Sequence, residues 1–71
     1  MDDIIYVQLL EEGTRCYRPV NAFKLNNDVY KILDKPPDDE VWEFQFNDIV
    51  QCSKTKLSDG FELVAVNKII T

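Results

Sequence analysis

Histidine is absent from the 71 residues of this sequence. It is the side chain best suited to proton transfer near neutral pH and the commonest ligand for zinc, copper and iron. With only two cysteines besides, the chain cannot complete a structural zinc site by itself. No nucleophile and base stand at a spacing typical of a catalytic site. We therefore predict that the protein is not an enzyme and has no catalytic, cofactor-binding or metal-binding residues.

Long hydrophobic runs are also absent, because polar residues interrupt every apolar stretch after a few positions. A membrane-spanning helix needs roughly 20 predominantly apolar residues in succession. The opening segment Met1–Asp3 is acidic where a secretory signal peptide would be basic. The sequence therefore predicts no membrane segment and a cytoplasmic location.

Positive charge is scarce: eight lysines and arginines stand against 13 acidic residues, which gives a net charge of −5. Binding to nucleic acid or to an anionic membrane needs a positive field, so both are disfavoured. Residues 15–35 are nevertheless net basic and lie between the acidic residues 1–14 and 36–48. This pattern suits a binding face of mixed sign, although ordinary solvated strands also produce it.

The two cysteines, Cys16 and Cys52, belong to no CxxC motif and no larger cysteine framework. One interpretation is a disulfide or a reactive thiol. The other is that both are small buried side chains in strands, as thiols in proteins often are. The sequence favours the second.

Short apolar runs bounded by turn residues make up most of the chain, and none shows a convincing helical period of 3.6 residues. Turn chemistry is found at Gly13, Asn26–Asp28, Asn47–Asp48 and Ser58–Gly60, and two prolines stiffen the loop 34–40. The runs predict strands at residues 4–10, 15–25, 29–33, 42–46, 49–57 and 61–66. We therefore expect a single all-β domain, a small antiparallel barrel of five to six strands.

Strict alternation of aromatic and polar residues over residues 42–46 is the clearest strand signal. It predicts that Trp42, Phe44 and Phe46 all point into the core.

The run over residues 15–25 changes phase: one parity is shared by Cys16, Val20 and Ala22, and the other by Phe23 and Leu25. Such a change predicts a bulge or a sharp bend. Pro19 cannot donate to a strand ladder, so it should lie at a sheet edge or at the bend.

The segments 44–50 and 59–65 resemble the second half of SH3-like barrels. In that pattern an aromatic strand leads through a Gly-Asp turn into a Val/Ile strand, then into a hairpin and a closing strand that ends in alanine. Asn47 replaces the glycine, which asparagine can do because it also adopts left-handed backbone. The resemblance implies an SH3-like barrel.

Arg18–Ala22 and Trp42–Phe44 extend the similarity to residues 6–66, in the order RPVxA, WEF, SDGxxLVA. This order resembles a group of small bacterial proteins of unassigned function, so it implies a fold and no biochemical role. Peptide-binding SH3 domains add an Ala-Leu-Tyr-Asp-Tyr-like strand and a second tryptophan, both missing here. Polyproline binding is therefore not predicted.

The most suggestive exposed patch surrounds the segment 15–19, because arginine and tyrosine are enriched at interface hot spots. The alternative is that the arginines form ion pairs across strands, with Glu11, Glu12 or Glu43. A barrel of this size is also expected to have little room for a pocket of several hundred Å³. The candidate partner-binding residues are Arg15, Tyr17, Arg18 and Tyr30.

Three further groups have a functional and an ordinary interpretation. Asp38–Glu40 could bind Ca²⁺, but the segment lacks the spaced ligands of a calcium loop, so a solvated acidic loop is favoured. Lys54 and Lys56 could contact phosphate, and protection of a strand edge explains them equally well. Three tyrosines could form a ligand-binding stripe, although packing on the sheet is favoured; they are Tyr6, Tyr17 and Tyr30.

These observations favour a non-enzymatic module that binds another protein. One concrete form is an inhibitor or immunity-type protein whose negative field speeds capture of a basic toxin or nuclease. The alternative is an RNA- or ribosome-associated barrel that uses Arg15, Arg18, Lys24 and Lys31. Self-association into a homodimer is a third hypothesis.

Overall fold

The computed structural model describes residues 3–11, 13, 15–57 and 60–69. Six strands run through them, and no helix occurs among them. In particular, this part of the chain has no helix of the length and apolarity that crossing a membrane requires. The strands are β1 (Asp3–Leu10), β2 (Cys16–Asn26), β3 (Val29–Ile32), β4 (Val41–Trp42), β5 (Ile49–Leu57) and β6 (Gly60–Lys68).

The sheet closes on itself into a ring of five strands. Its order is β2-β3-β5-β6-β1, an additional β1–β2 pairing completes the ring, and β4 is added beside β1. All pairings are antiparallel except a short parallel one, at Tyr6 and Val64. The predicted all-β barrel of five to six strands is therefore confirmed.

The length of β2 makes this closure possible. The strand pairs with β1 through residues 16–22 and with β3 through residues 22–26, so Ala22 has a partner on both sides. The Asn21 amide donates to Asp34 Oδ2 on the side away from β1 (2.8 Å). Because alternate residues direct their amides to the same edge, the ring nitrogen of Pro19 faces that open edge, as the sequence predicts.

The interior is filled by apolar side chains that alternate along the strands. No polar or charged side chain is buried in the described part of the chain. Each buried residue removes apolar surface from water, which stabilises the barrel. The core consists of Ile5, Val7, Val20, Ala22, Tyr30, Ile32, Trp42, Phe44, Val50, Cys52 and Ala65.

The predicted aromatic strand over residues 42–46 is wrong in extent, because β4 ends at Trp42. Trp42 and Phe44 are buried as predicted, but Phe46 is 37% exposed and contacts the Lys35 ammonium, which lies 5.0 Å from the ring centroid. The chain leaves the sheet because it enters a turn in which Asn47 has a φ of 72°. The Gln45 amide donates to Asp48 Oδ2 (2.8 Å) and so closes this turn with side-chain chemistry.

The predicted phase change in β2 does not bring its last apolar residues inside. Phe23 and Leu25 are 48% and 46% exposed and stay on the outer face, whereas Ala22 is buried. An irregularity in register does occur, between Lys24 and Asn26 in the pairing with β3. It lies too near the end of the strand to exchange the faces of Phe23 and Leu25.

The turns predicted at Asn26–Asp28 and Asn47–Asp48 are found. Between β1 and β2 the positive φ is at Glu11 (63°) and not at Gly13. Asp28 and Asn47 both have positive φ, which short polar side chains tolerate. The hairpin predicted at Ser58–Gly60 falls partly on residues 58 and 59, which lie outside the described residues; Leu57 and Gly60 are paired across it.

Candidate partner-binding cleft

A cleft of about 510 Å³ opens on one side of the barrel. The prediction that a barrel of this size has little room for a pocket of several hundred Å³ is therefore wrong. The interior is filled by the core, but the outer face of the barrel has room for the cleft. Residues from four strands and from the segment before β2 converge on it, so its shape depends on closure of the ring. We call it the tyrosine cleft, and its lining is Tyr6, Arg15, Cys16, Tyr17, Lys56, Leu57 and Glu62.

Two tyrosines are brought together on the outer face of the β1–β2 pair. Tyr6 lies opposite Pro19, and Tyr17 lies opposite Gln8, so the two tyrosines are diagonal neighbours. Long side chains at such positions are within reach of each other. Both are half-buried, which leaves part of each ring open to a ligand.

The third tyrosine of the predicted set is in a different place. Tyr30 is 5% exposed and belongs to the core, where burial raises the pKa of its hydroxyl. It alternates with Lys31 in β3 and shares its parity with the buried Ile32. Tyr30 is therefore not on the surface that contains Tyr17, and the three tyrosines form no common stripe.

The cleft is locally positive on a negative protein. Arg15 and Lys56 contribute two positive charges and Glu62 one negative charge, a net +1, while the whole chain has −5. Neither cation forms an ion pair with a carboxylate of the described residues. Lys54, the other lysine of the phosphate hypothesis, does not line the cleft.

Arg18 is not part of the cleft, because it lies opposite the buried Val7 and therefore on the other face of the β1–β2 pair from Tyr17. There a loop residue engages it. Its Nε donates to Glu40 Oε1 (3.1 Å), and its Nη2 donates to Glu40 Oε2. The same carboxylate accepts the indole N–H of Trp42 at 2.9 Å. These contacts lower the pKa of Glu40 and raise that of Arg18. We call Arg18, Glu40 and Trp42 the Glu40 cluster.

The partner of Arg18 differs from the sequence hypothesis. Neither Glu11 nor Glu43 forms an ion pair with it, and Glu12 lies outside the described residues. Glu40 belongs to the loop before β4 and is 22 positions from Arg18 in the chain. An irregular loop has no strand register, so the sequence gives no way to pair the two residues. No sequence signal pointed to this contact.

The acidic loop shows no arrangement suited to a cation. Glu40 is committed to Arg18 and Trp42, while Asp38 and Asp39 are exposed. Across residues 3–11, 13, 15–57 and 60–69, no three acidic or cysteine side chains are grouped to hold a metal ion.

The two cysteines have different surroundings. Cys52 is buried in the core, and burial raises the pKa of its thiol to about 11. This confirms its predicted role as a small apolar side chain. Cys16 is half-buried and lines the cleft, so its predicted burial is wrong, and no disulfide joins it to Cys52.

The four cations of the RNA hypothesis form no continuous strip. Residues directly opposite each other on paired strands share a face, so Lys24 lies on the face of Tyr30 and Lys31 on that of Phe23. These are the two opposite faces of the β2–β3 pair. Arg18 is in addition neutralised by Glu40.

No protein-family model, no curated protein and no solved structure matches this chain.

Proposed function

We propose that this protein is a small non-enzymatic interaction module that binds another protein through the tyrosine cleft. The observation that carries the proposal is the convergence of Arg15, Tyr6 and Tyr17 on one cleft of about 510 Å³. Tyrosine and arginine are the residue types that most often dominate binding energy at interfaces. The volume falls within the range of sites that hold a side chain or a short segment of a ligand.

The proposal is for binding and not for catalysis because of the chemistry in the cleft. Its one thiol, that of Cys16, cannot be activated by an imidazole, since the chain has no histidine. Two half-buried tyrosines offer large rigid surfaces with a hydroxyl at the tip, which suits recognition.

The charge distribution supports an inhibitor or immunity-type role as the concrete form of this module. A net charge of −5 speeds the approach of a basic partner over a distance. The cleft itself is positive, so it would receive a local acidic or apolar part of that partner. The proposal keeps the cytoplasmic location that the sequence predicts.

The proposal is tested by comparing how tightly the wild-type protein and two matched variants bind the partners that the wild type retains. Tyr17→Ala removes a ring from the cleft, and Phe23→Ala removes an exposed ring from the same strand outside it. Proteins retained from native lysate by the wild type are purified, and their dissociation constants are measured for both variants. We expect Tyr17→Ala to weaken binding about tenfold or more and Phe23→Ala about threefold or less.

Circular dichroism first establishes that both variants fold, and Lys56→Glu replaces Tyr17→Ala if the latter does not. Equal binding by all variants would show that the cleft is not the contact. If the wild-type protein retains no specific partner at low and moderate salt, the proposal that it is an interaction module is refuted.

A further inference from the structure

The two cations of the tyrosine cleft come from parts of the chain that are far apart in sequence. Arg15 directly precedes β2, and Lys56 lies near the end of β5. Without a carboxylate partner among the described residues, both can donate charge-assisted hydrogen bonds to a bound anion. Arg15 adds a planar fork of donors that matches a carboxylate.

The remaining walls are suited to an uncharged side chain. Tyr6 and Tyr17 present half-buried rings, and Leu57 adds aliphatic surface from β5. Aromatic and aliphatic side chains of a ligand gain free energy when they cover such surface.

We infer that the cleft receives an extended peptide segment in which a carboxylate side chain stands next to an aromatic or aliphatic one. The carboxylate would lie between Arg15 and Lys56, and the neighbouring side chain against Tyr6 and Tyr17. This inference rests on the proposed function, since the segment is the part of the partner that enters the cleft.

The single carboxylate follows from the charges. With one negative side chain of its own, Glu62, the cleft has a net charge of +1, which one carboxylate balances. A phosphate group or a nucleic-acid strand brings more negative charge, and both Glu62 and the net charge of −5 oppose it. Glu62 can instead accept a backbone N–H of the segment.

The probe is an array of blocked pentapeptides with a central Asp or Glu, flanked by each of Leu, Ile, Phe, Tyr and Trp. A matched array contains Asn or Gln at the centre. The strongest acidic peptides are then titrated into ¹⁵N-labelled protein, and amide shifts are followed. We expect saturable shifts at residues 6, 15–17, 56–57 and 62, and about tenfold weaker binding of the amide peptides.

Substitutions identify the cations. Arg15→Gln and Lys56→Gln should each weaken the acidic peptides, and the double variant about tenfold. Lys54→Gln is the matched control, because Lys54 lies on the same strand two residues away and outside the cleft; it should leave binding unchanged. Equal effects of Lys54→Gln and Lys56→Gln would overturn the assignment.

Any of three results with the free ligands overturns the inference: no acidic pentapeptide binds at millimolar concentration, the amide peptides bind equally well, or 3-phenylpropionate binds as tightly as the peptides. The last would mark a site for small carboxylic acids. A partner whose binding is lost in Tyr17→Ala but unchanged in the Arg15→Gln/Lys56→Gln variant would refute the acidic segment and leave the proposed function intact. A partner indifferent to all these variants refutes both.

Discussion

Arg15 and Arg18 stand three positions apart in the same basic segment, yet they have opposite roles. Arg18 forms two hydrogen bonds to Glu40, which also binds Trp42, so it fastens a loop to β2. Arg15 lines an open cleft and has no carboxylate partner among the described residues. The comparison shows that strand parity separates the two arginines, since Arg18 lies on the face of the buried Val7 and Arg15 lines the cleft, and that a distant loop residue then holds Arg18 in place.

The largest loss of stability is expected at Trp42, which belongs both to the Glu40 cluster and to the core. Trp42→Ala removes an indole that is 3% exposed and leaves a cavity, so the free energy of unfolding should fall by about 3–5 kcal/mol. Phe46→Ala, in the same segment, removes a partly exposed ring and its contact with Lys35, and should cost about 1 kcal/mol. Urea unfolding followed by circular dichroism measures both. Similar losses for the two variants would contradict the placement of Phe46.

The next prediction compares the alkylation rates of two thiols, that of Cys16 in the cleft and that of Cys52 in the core. At pH 8, iodoacetamide should alkylate Cys16 at least about tenfold faster than Cys52, because a buried thiol with a pKa of about 11 is largely protonated and shielded. Peptide mass spectrometry gives the two rates. In urea the rates should converge, which serves as the control. Fast labelling of Cys52 in the folded protein would mean that the barrel opens there.

A smaller effect is expected from Glu40→Gln, which keeps the shape of the side chain and removes its charge. Because folding lowers the pKa of Glu40, the wild-type carboxylate stabilises the fold fully above its ordinary pKa, and this stabilisation disappears as pH falls through the lowered value. The stability difference between wild type and variant should therefore be present at pH 7 and shrink in acid. Urea midpoints from pH 7 to pH 3 test this; a difference that grows in acid would refute the ion pair.

The smallest effect on stability is expected at the cleft. Arg15→Gln should change the free energy of unfolding by about 0.5 kcal/mol or less, as exposed side chains without structural partners usually do. Arg18→Gln should destabilise the protein measurably more, since it leaves Glu40 without its cation. Parallel urea titrations at pH 7 compare them. If both arginines prove equally important for stability, the distinction between them fails.

Alternation along single strands predicted part of the fold, because a strand with one buried face shows that face in its own sequence. Trp42 and Phe44 are buried as their alternation predicts, whereas β1 is apolar on both parities, and only the structure shows that Ile5 and Val7 point inward while Ile4 is 51% exposed. The same rule wrongly predicts that Phe46 is buried. Phe46 continues the alternation in sequence, but it lies in a turn, where the alternation of strand faces does not apply.

The candidate site was predicted only in part. Arg15 and Tyr17 do meet in one cleft, because they are neighbours in the chain. Arg18 and Tyr30 do not join them, since Arg18 lies on the face of the buried Val7, where Glu40 binds it, and Tyr30 points inward. Tyr30 could have been assigned correctly from its parity with Ile32; the contact of Arg18 with Glu40 has no such signal.

Sequence alone determined most of the strands, the turns at Asn26–Asp28 and Asn47–Asp48, and the lack of an imidazole, because these depend on residue type and on neighbours along the chain. Only the tertiary structure decided that Tyr6 of β1 and Lys56 of β5 line the same cleft. The physical reason is that ring closure joins strands far apart in the chain, and it thereby creates an outer surface that no single strand contains.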